Sequence, residues 1–361
     1  MAEKFVFQNP KIVEQDLAIY DVREKPIDLY GLYRPEEPGL FKRVPASIGE
    51  NVSKRVKLLY TNTAGARLRF TTDSTVIAVG ATYPPMTFAS PGTTTRAPAG
   101  AVCFDMYVDG KYRQIMQPMK SAQRGSVMFY DIEDGHFESC ATFGEKKMRE
   151  ITLNFPSFVN ISEVYIGLKQ DAALLPGKPY VNEKPIVFYG SSITQGACAS
   201  RPGNTYQNVL SRRLNFDYIN LGFAGSCKAE DIIVDYVGTL DMSVMVFDYD
   251  HNASNPKQLK DTHLRALRRL RAALPNIPFV LMTRPDEDRG EEDTLQRLQI
   301  VKESYEALLN DGCGPVHLVN GHAIYHSHDS EMMTIDGTHP TDLGFYCMAE
   351  ALEPVLAQYL K

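Results

Sequence analysis

Between residues 186 and 319, five short apolar, β-rich runs alternate with longer amphipathic segments, and this alternation constrains the fold of the 361-residue chain more than any other feature. The runs lie at 186–189, 218–221, 244–247, 279–282 and 317–319. Helical spacing appears at 205–214, 257–274, 293–310 and 343–360. In 257–274, Leu259, Leu264, Leu267, Leu270 and Leu274 recur at three- to five-residue intervals and form one apolar face. Parallel strands need crossover connections, and these segments supply them. The pattern therefore predicts a parallel sheet with helices on both faces, with functional groups beyond the carboxyl ends of the strands.

Residues 1–180 have a different texture. Short alternating runs at 56–60, 67–71, 76–81, 103–108, 126–130, 149–155 and 164–168 sit between turn signals. Asp109-Gly110 and Asp134-Gly135 suit tight reversals, because both residue types tolerate positive φ. Helical periodicity is scarce, so this half is expected to be a β-sandwich. The textures meet at Leu175-Pro176-Gly177-Lys178-Pro179, a linker-like stretch. The expected domains are 1–180 and 181–361.

Composition narrows the function. With 43% hydrophobic and 23% charged residues the chain is ordinary globular protein. A net charge of −6 argues against nucleic acid as a partner. The one dense basic run, Arg265, Arg268, Arg269 and Arg271, reads as a solvated helix face. No apolar run approaches the ~20 residues of a membrane span. Residues 1–10 lack the basic start and apolar stretch of a leader, so a cytoplasmic location is expected. The six cysteines have no C-x-x-C spacing and are expected to be free thiols, with Cys198 and Cys227 near the pocket.

Four features carry chemistry, three at strand ends and one before the last helix. Gly190-Ser191-Ser192 follows the first strand and places a hydroxyl at a helix start. Asn220-Leu221-Gly222-Phe223-Ala224-Gly225 ends the second, where a glycine exposes a backbone N–H. Asp250-His251-Asn252 follows the third and adds a neutral amide donor. Asp336-Gly337-Thr338-His339 precedes the last helix. A histidine can take a serine proton, a carboxylate three residues away can fix its tautomer, and neutral donors can hold an oxyanion. Taken alone, the first three features read better as structural turns, and the fourth reads equally well as one.

In this order and placement, the four resemble the SGNH (GDSL-like) hydrolases over residues 184–361. The resemblance implies a flavodoxin-like three-layer α/β/α domain. It assigns Ser192 as nucleophile, with Asp336 and His339 completing the triad. It places the oxyanion hole at the backbone N–H groups of Ser192 and Gly225 and the side chain of Asn252. Two departures stand out: Ser191 replaces the usual aspartate before the nucleophile, and Asp250 and Ala253 flank the His251-Asn252 pair where glycine and aspartate are usual. Pro26-Ile27-Asp28-Leu29-Tyr30-Gly31 is similar to the Asp-Leu-Tyr signature of a jelly-roll-like sandwich that precedes such domains in some two-domain carbohydrate esterases.

The implied reaction is hydrolysis of short-chain, chiefly acetyl, esters on carbohydrates. The substrate is expected to be a small-molecule or oligosaccharide ester, and a homo-oligomer stays open. A lipase or thioesterase acting on longer chains, or an inactive glycan-binding protein, are the competing readings. Arg201, with Asn204 beside it, His251 and Arg284 are candidate pocket residues; Arg284 can instead pair with Asp286 or Asp288. His322, His326 and His328 read as a loop wall rather than a metal site, since triad chemistry needs neither metal nor cofactor.

Overall fold

The computed structural model describes residues 5–84, 97–119, 135–285, 290–312, 314–326 and 329–361. These fall into two compact units. The first comprises the described residues of Met1–Lys42, Thr61–Pro179 and Arg201–Gly203; the second comprises those of Arg43–Tyr60, Tyr180–Ser200 and Asn204–Lys361. Where the change of texture suggested one cut near residue 180, the second unit thus takes an early segment as well.

The first unit holds two antiparallel sheets. One has the order β1 (Leu17–Asp21), β9 (Glu163–Lys169), β4 (Val76–Thr82), β7 (His136–Thr142). The other runs β10 (Leu174–Pro176), β3 (Arg67–Thr72), β8 (Arg149–Asn154), β5 (Phe104–Val108), β6 (Lys111–Met116), with β2 (Asp28–Tyr30) also paired to β3. Alternate residues of both sheets meet in one core: Leu68 and Phe70 of β3, Ile151 and Leu153 of β8, Ile77 and Val79 of β4, Ile166 and Leu168 of β9. This period-two burial is what makes the unit a sandwich. The β5–β6 hairpin turns through Asp109 (φ 50°) and Gly110 (φ 76°), the double positive φ expected of an Asp-Gly reversal. Residues 126–130 and Asp134 lie outside the described residues.

The 56–60 run is not a strand. Val56–Leu59 forms a short helix, α3, of the second unit. The Ser53 hydroxyl accepts the Val56 N–H at 3.2 Å, and Val56 and Tyr60, four residues apart, both enter the core. In a five-residue apolar run the strand and helix periods are indistinguishable, and here the i, i+4 pair prevails.

In the second unit β11 (Asn182–Gly190), β12 (Phe216–Gly222), β13 (Val244–Asp248), β14 (Phe279–Met282) and β15 (Val316–Val319) form a parallel sheet of order β12-β11-β13-β14-β15. Side chains of β11 alternate between its faces. Val187 and Tyr189 join a core with α7 (Asp231–Gly238), α8 (Pro256–Ala273), α9 (Glu291–Asn310) and the 43–60 segment, including α2 (Ala46–Val52). Ile186 and Phe188 join another with α6 (Tyr206–Leu214), α10 (Gly321–His326) and α11 (Asp342–Leu356). This is the three-layer flavodoxin-like arrangement. The strand order reverses between β11 and β13, so a crevice opens beyond their carboxyl ends, where Ser192 and Asn252 follow.

The basic run on α8 is only partly a solvated face. Arg265, Arg268 and Arg269 are paired with Asp231, Asp311 and Asp235. Arg271 is buried over the Phe279 ring and donates to the carbonyls of Leu274, Ile277 and Pro315. Among the described residues no helix is long and apolar enough to cross a membrane.

Candidate active site

The turn after β11 is built by small residues. A Cβ on Gly190 would meet the Thr194 hydroxyl at 2.0 Å and the Asp248 carbonyl at 2.5 Å, so only glycine lets the strand close onto the next turn. The Ser191 hydroxyl accepts the Ile193 N–H at 3.1 Å and caps the one-turn helix α5 (Ser192–Gln195). A serine thus serves this local hydrogen bond where an aspartate is usual.

Ser192 Oγ lies 2.9 Å from His339 Nε2, and His339 Nδ1 lies 2.8 Å from Asp336 Oδ2. The other carboxylate oxygen accepts the backbone N–H groups of His339 (2.8 Å) and Thr338 (3.1 Å). Both oxygens of Asp336 are therefore engaged by one tight turn, which Gly337 completes at φ 83°. Partial burial pushes the Asp336 carboxyl up, but these N–H groups and the imidazole outweigh it and hold it below the ordinary carboxylate range. An ionised Asp336 draws the ring proton to Nδ1, leaving the Nε2 lone pair facing the Ser192 hydroxyl. Asp342 anchors the neighbourhood: its carboxylate accepts the Ser200 N–H at 2.9 Å and the Asn204 amide at 2.7 Å.

Three donors remain unspent. Among the described residues, neither the N–H of Ser192, that of Gly225, nor the Asn252 side-chain amide nitrogen has a hydrogen-bond acceptor. The reason is local. The Ser226 and Cys227 N–H groups both turn back to the Phe223 carbonyl (2.8 and 3.1 Å), which leaves Gly225, at φ 67°, outside the turn. Cys227 N–H also donates to Asn252 Oδ1 at 3.1 Å, so the amide nitrogen points away from that contact.

Arg43 supports this loop from below. It is 1% exposed and donates to the carbonyls of Asn220 (3.0 Å), Gly222 (2.7 Å) and Leu59 (2.7 Å), with its guanidinium 4.8 Å over the Phe223 ring. Burial pushes its pKa down to about 9. Sequence reasoning missed Arg43, because nothing local marks a residue whose partners stand 177 and 179 positions away.

The two candidate pocket arginines have partners of their own. Arg201 groups with the first unit, where it contacts Asp105 at 3.1 Å and the Tyr107 hydroxyl, and covers the Tyr112 ring at 3.8 Å. Arg284 is 1% exposed, faces Asp293 at 3.8 Å and donates its backbone N–H to Asp250. Asp286 and Asp288 lie outside the described residues. His251 is buried, its ring and the Asp248 and Asp250 carboxylates offering atoms within 4.8 Å of one another. The Cys198 sulfur has the same proximity to Asp336 and His339. Five cysteines, Cys103, Cys140, Cys198, Cys227 and Cys347, are free thiols, and Cys313 lies outside the described residues. His322 and His326 stack on α10 with ring centroids 4.1 Å apart, and His328 lies outside the described residues.

A parallel sheet of this order, with a serine–histidine–aspartate chain of hydrogen bonds at its switch point, defines a GDSL-like acylhydrolase domain. Residues 183–357 match the model of the GDSL-like Lipase/Acylhydrolase family, and residues 17–174 match the GxDLY model, the N-terminus of SGNH hydrolase-type esterases. The chain is an SGNH-type esterase carrying that amino-terminal domain. A Bacteroides ovatus ATCC 8483 protein described as a GDSL-like lipase is similar at 26% identity and TM-score 0.80, covering 96% of this chain and 99% of its own. The salicylyl-acyltransferase SsfX3 from a tetracycline biosynthetic pathway shares the fold at 18% identity and TM-score 0.73, covering 95% and 97%. A family two carbohydrate esterase from Cellvibrio japonicus shares it at 13% identity and TM-score 0.60, covering 95% and 98%. A search of curated protein sequences finds no match.

Proposed function

We propose that the chain hydrolyses short-chain esters, chiefly acetyl groups on carbohydrates, through an acyl-serine intermediate. The observation that carries this reading is the unbroken path Ser192 Oγ–His339 Nε2, His339 Nδ1–Asp336 Oδ2, at 2.9 and 2.8 Å. His339 takes the Ser192 proton as Oγ attacks the ester carbonyl. The carbonyl oxygen becomes an oxyanion and is received by the N–H groups of Ser192 and Gly225 and the Asn252 amide. The imidazolium, stabilised by Asp336, then gives its proton to the departing alcohol. Water repeats the sequence on the acyl-serine and releases the acid. Carbohydrate as the alcohol part is supported by the two-domain fold shared with the Cellvibrio japonicus esterase.

A second reading has a specific basis: the higher structural similarity to SsfX3, an acyltransferase. The same intermediate can pass its acyl group to a hydroxyl other than water's. One experiment separates these readings. Wild type and Ser192→Ala are given 4-nitrophenyl esters of rising chain length and acetylated oligosaccharides, with and without an added acceptor alcohol. Hydrolysis that falls with chain length, releases acetate from the oligosaccharides and needs Ser192 is expected. Activity rising from acetyl to octanoyl esters points to a lipase or thioesterase, and acylated acceptor without free acid points to transfer. Failure of a fluorophosphonate to label Ser192 would leave only a glycan-binding role.

A further inference from the structure

The donor loop has a neighbour that the reaction does not use. A methyl group placed on Gly225 would lie 3.4 Å from Cζ, 3.5 Å from Nη1 and 3.6 Å from Nε of Arg55. Both residues belong to the second unit. The nearest of the three atoms is the central carbon. An approach from the edge of a guanidinium would meet a nitrogen first, so Arg55 turns its flat face to Gly225. All five guanidinium N–H donors lie in that plane, and the stacking consumes none of them.

Nothing else consumes them either. Arg55 is exposed, and among the described residues its guanidinium has no hydrogen-bond or ion-pair partner. Glu50 is the one acid in residues 43–60, against Arg43, Lys54, Arg55 and Lys57. It accepts from the Tyr60 hydroxyl at 3.3 Å and lies 3.8 Å from Lys57. The position is also built. Arg55 immediately precedes α3, whose Val56 is buried in the core beneath the sheet face, so the base of the side chain is fixed.

A planar cation beside an oxyanion donor, with its fork unused, suits a planar anion on the substrate. We propose that Arg55 is a specificity-determining residue that binds a carboxylate carried by the ester, as on an acylated uronic acid or a dicarboxylic half-ester. This rests on the esterase reading above and narrows its substrate class. The carboxylate binds in the plane of the guanidinium, and no bond to it forms or breaks.

The test compares two matched pairs. The first is acetylated galacturonic acid against galactose acetylated at the same position, with the charge on the alcohol side. The second is 4-nitrophenyl hydrogen succinate against 4-nitrophenyl butyrate, with the charge on the acyl side. In one pair, wild type is expected to favour the anionic member by about tenfold in kcat/KM, less as salt is raised. Arg55→Gln removes that preference mainly through KM and leaves the neutral ester within about twofold. Arg55→Lys retains part of it. Equal treatment of both members by wild type, or an equal loss on both in Arg55→Gln, overturns the proposal. Neutral-ester turnover or fluorophosphonate labelling of Ser192 shows that the esterase reading survives such a result. If wild type shows neither, that reading falls, and the role of Arg55 with it.

Discussion

At the scale of single residues, the site depends on groups whose partners are already fixed before substrate arrives. Asn252 has its oxygen committed to Cys227 N–H, so its nitrogen is oriented at no further cost in ordering. Asn252→Ala is expected to lower kcat by about 10²–10³-fold with little change in KM, the effect of losing a donor that acts on the transition state. A KM increase with kcat intact would instead make Asn252 a ground-state binder. Asp336→Asn keeps the volume but can present an amide to Nδ1, which favours the wrong tautomer; a kcat loss on the order of 10⁴-fold is expected in steady-state assays. A loss of only a few-fold would mean that the turn alone orients His339. These residues were legible in the sequence because each sits in a short local motif, after a strand end for Asn252 and just before the last helix for Asp336. Arg43 and Arg55 were not. Their significance lies in contacts with a loop near residue 225, and no spacing along the chain encodes that distance.

At the scale of elements, helix α8 carries a titration that the reaction never uses. His263 is buried against the rings of Phe247 and Tyr249, with centroids 5.4 and 6.0 Å away, and burial lowers its pKa to about 3. The native state keeps this ring neutral, whereas in the unfolded chain it protonates near pH 6.5. A depressed histidine pKa means that the unfolded state binds the extra proton. Stability from this group is therefore complete above about pH 6.5 and is lost at about 1.4 kcal/mol per pH unit as pH falls toward about 3. Urea unfolding from pH 7 to pH 5 is expected to show a steeper loss of stability in wild type than in His263→Leu. Parallel curves would place the ring in contact with water. Element type was readable where runs were long or repeated, as in α8 and the five parallel strands. It failed at residues 56–60, where five residues fit both periods; at Arg271 the helix was readable but the burial was not, because its helical neighbours are surface cations while its own side chain lies buried over the Phe279 ring.

At the scale of the whole molecule, the change of texture near residue 180 located the two architectures but not their membership. The second unit also owns residues 43–60, which bring Val44, Val56 and Tyr60 into its core and Arg43 beneath the Gly222 carbonyl. Fully burying an apolar side chain contributes about 1.5–3 kcal/mol, so three of them rival the roughly 5–15 kcal/mol that keeps a domain folded. A fragment of residues 181–361 alone is expected to be aggregated or lacking a cooperative thermal transition. Fusing residues 43–60 to it through a flexible linker is expected to restore one, as followed by circular dichroism. A cooperative transition in the bare fragment would show the segment to be dispensable.

That ownership sets a timetable during synthesis. The segment 43–60 leaves the ribosome about 120 residues before the first strand of the sheet it covers. At about 5–20 residues per second, its apolar side chains wait about 6–24 s before the first of their partners appears. The esterase unit cannot close until its earliest piece has been held back and returned, so a nascent chain of this kind gives a chaperone something to hold well before an esterase exists.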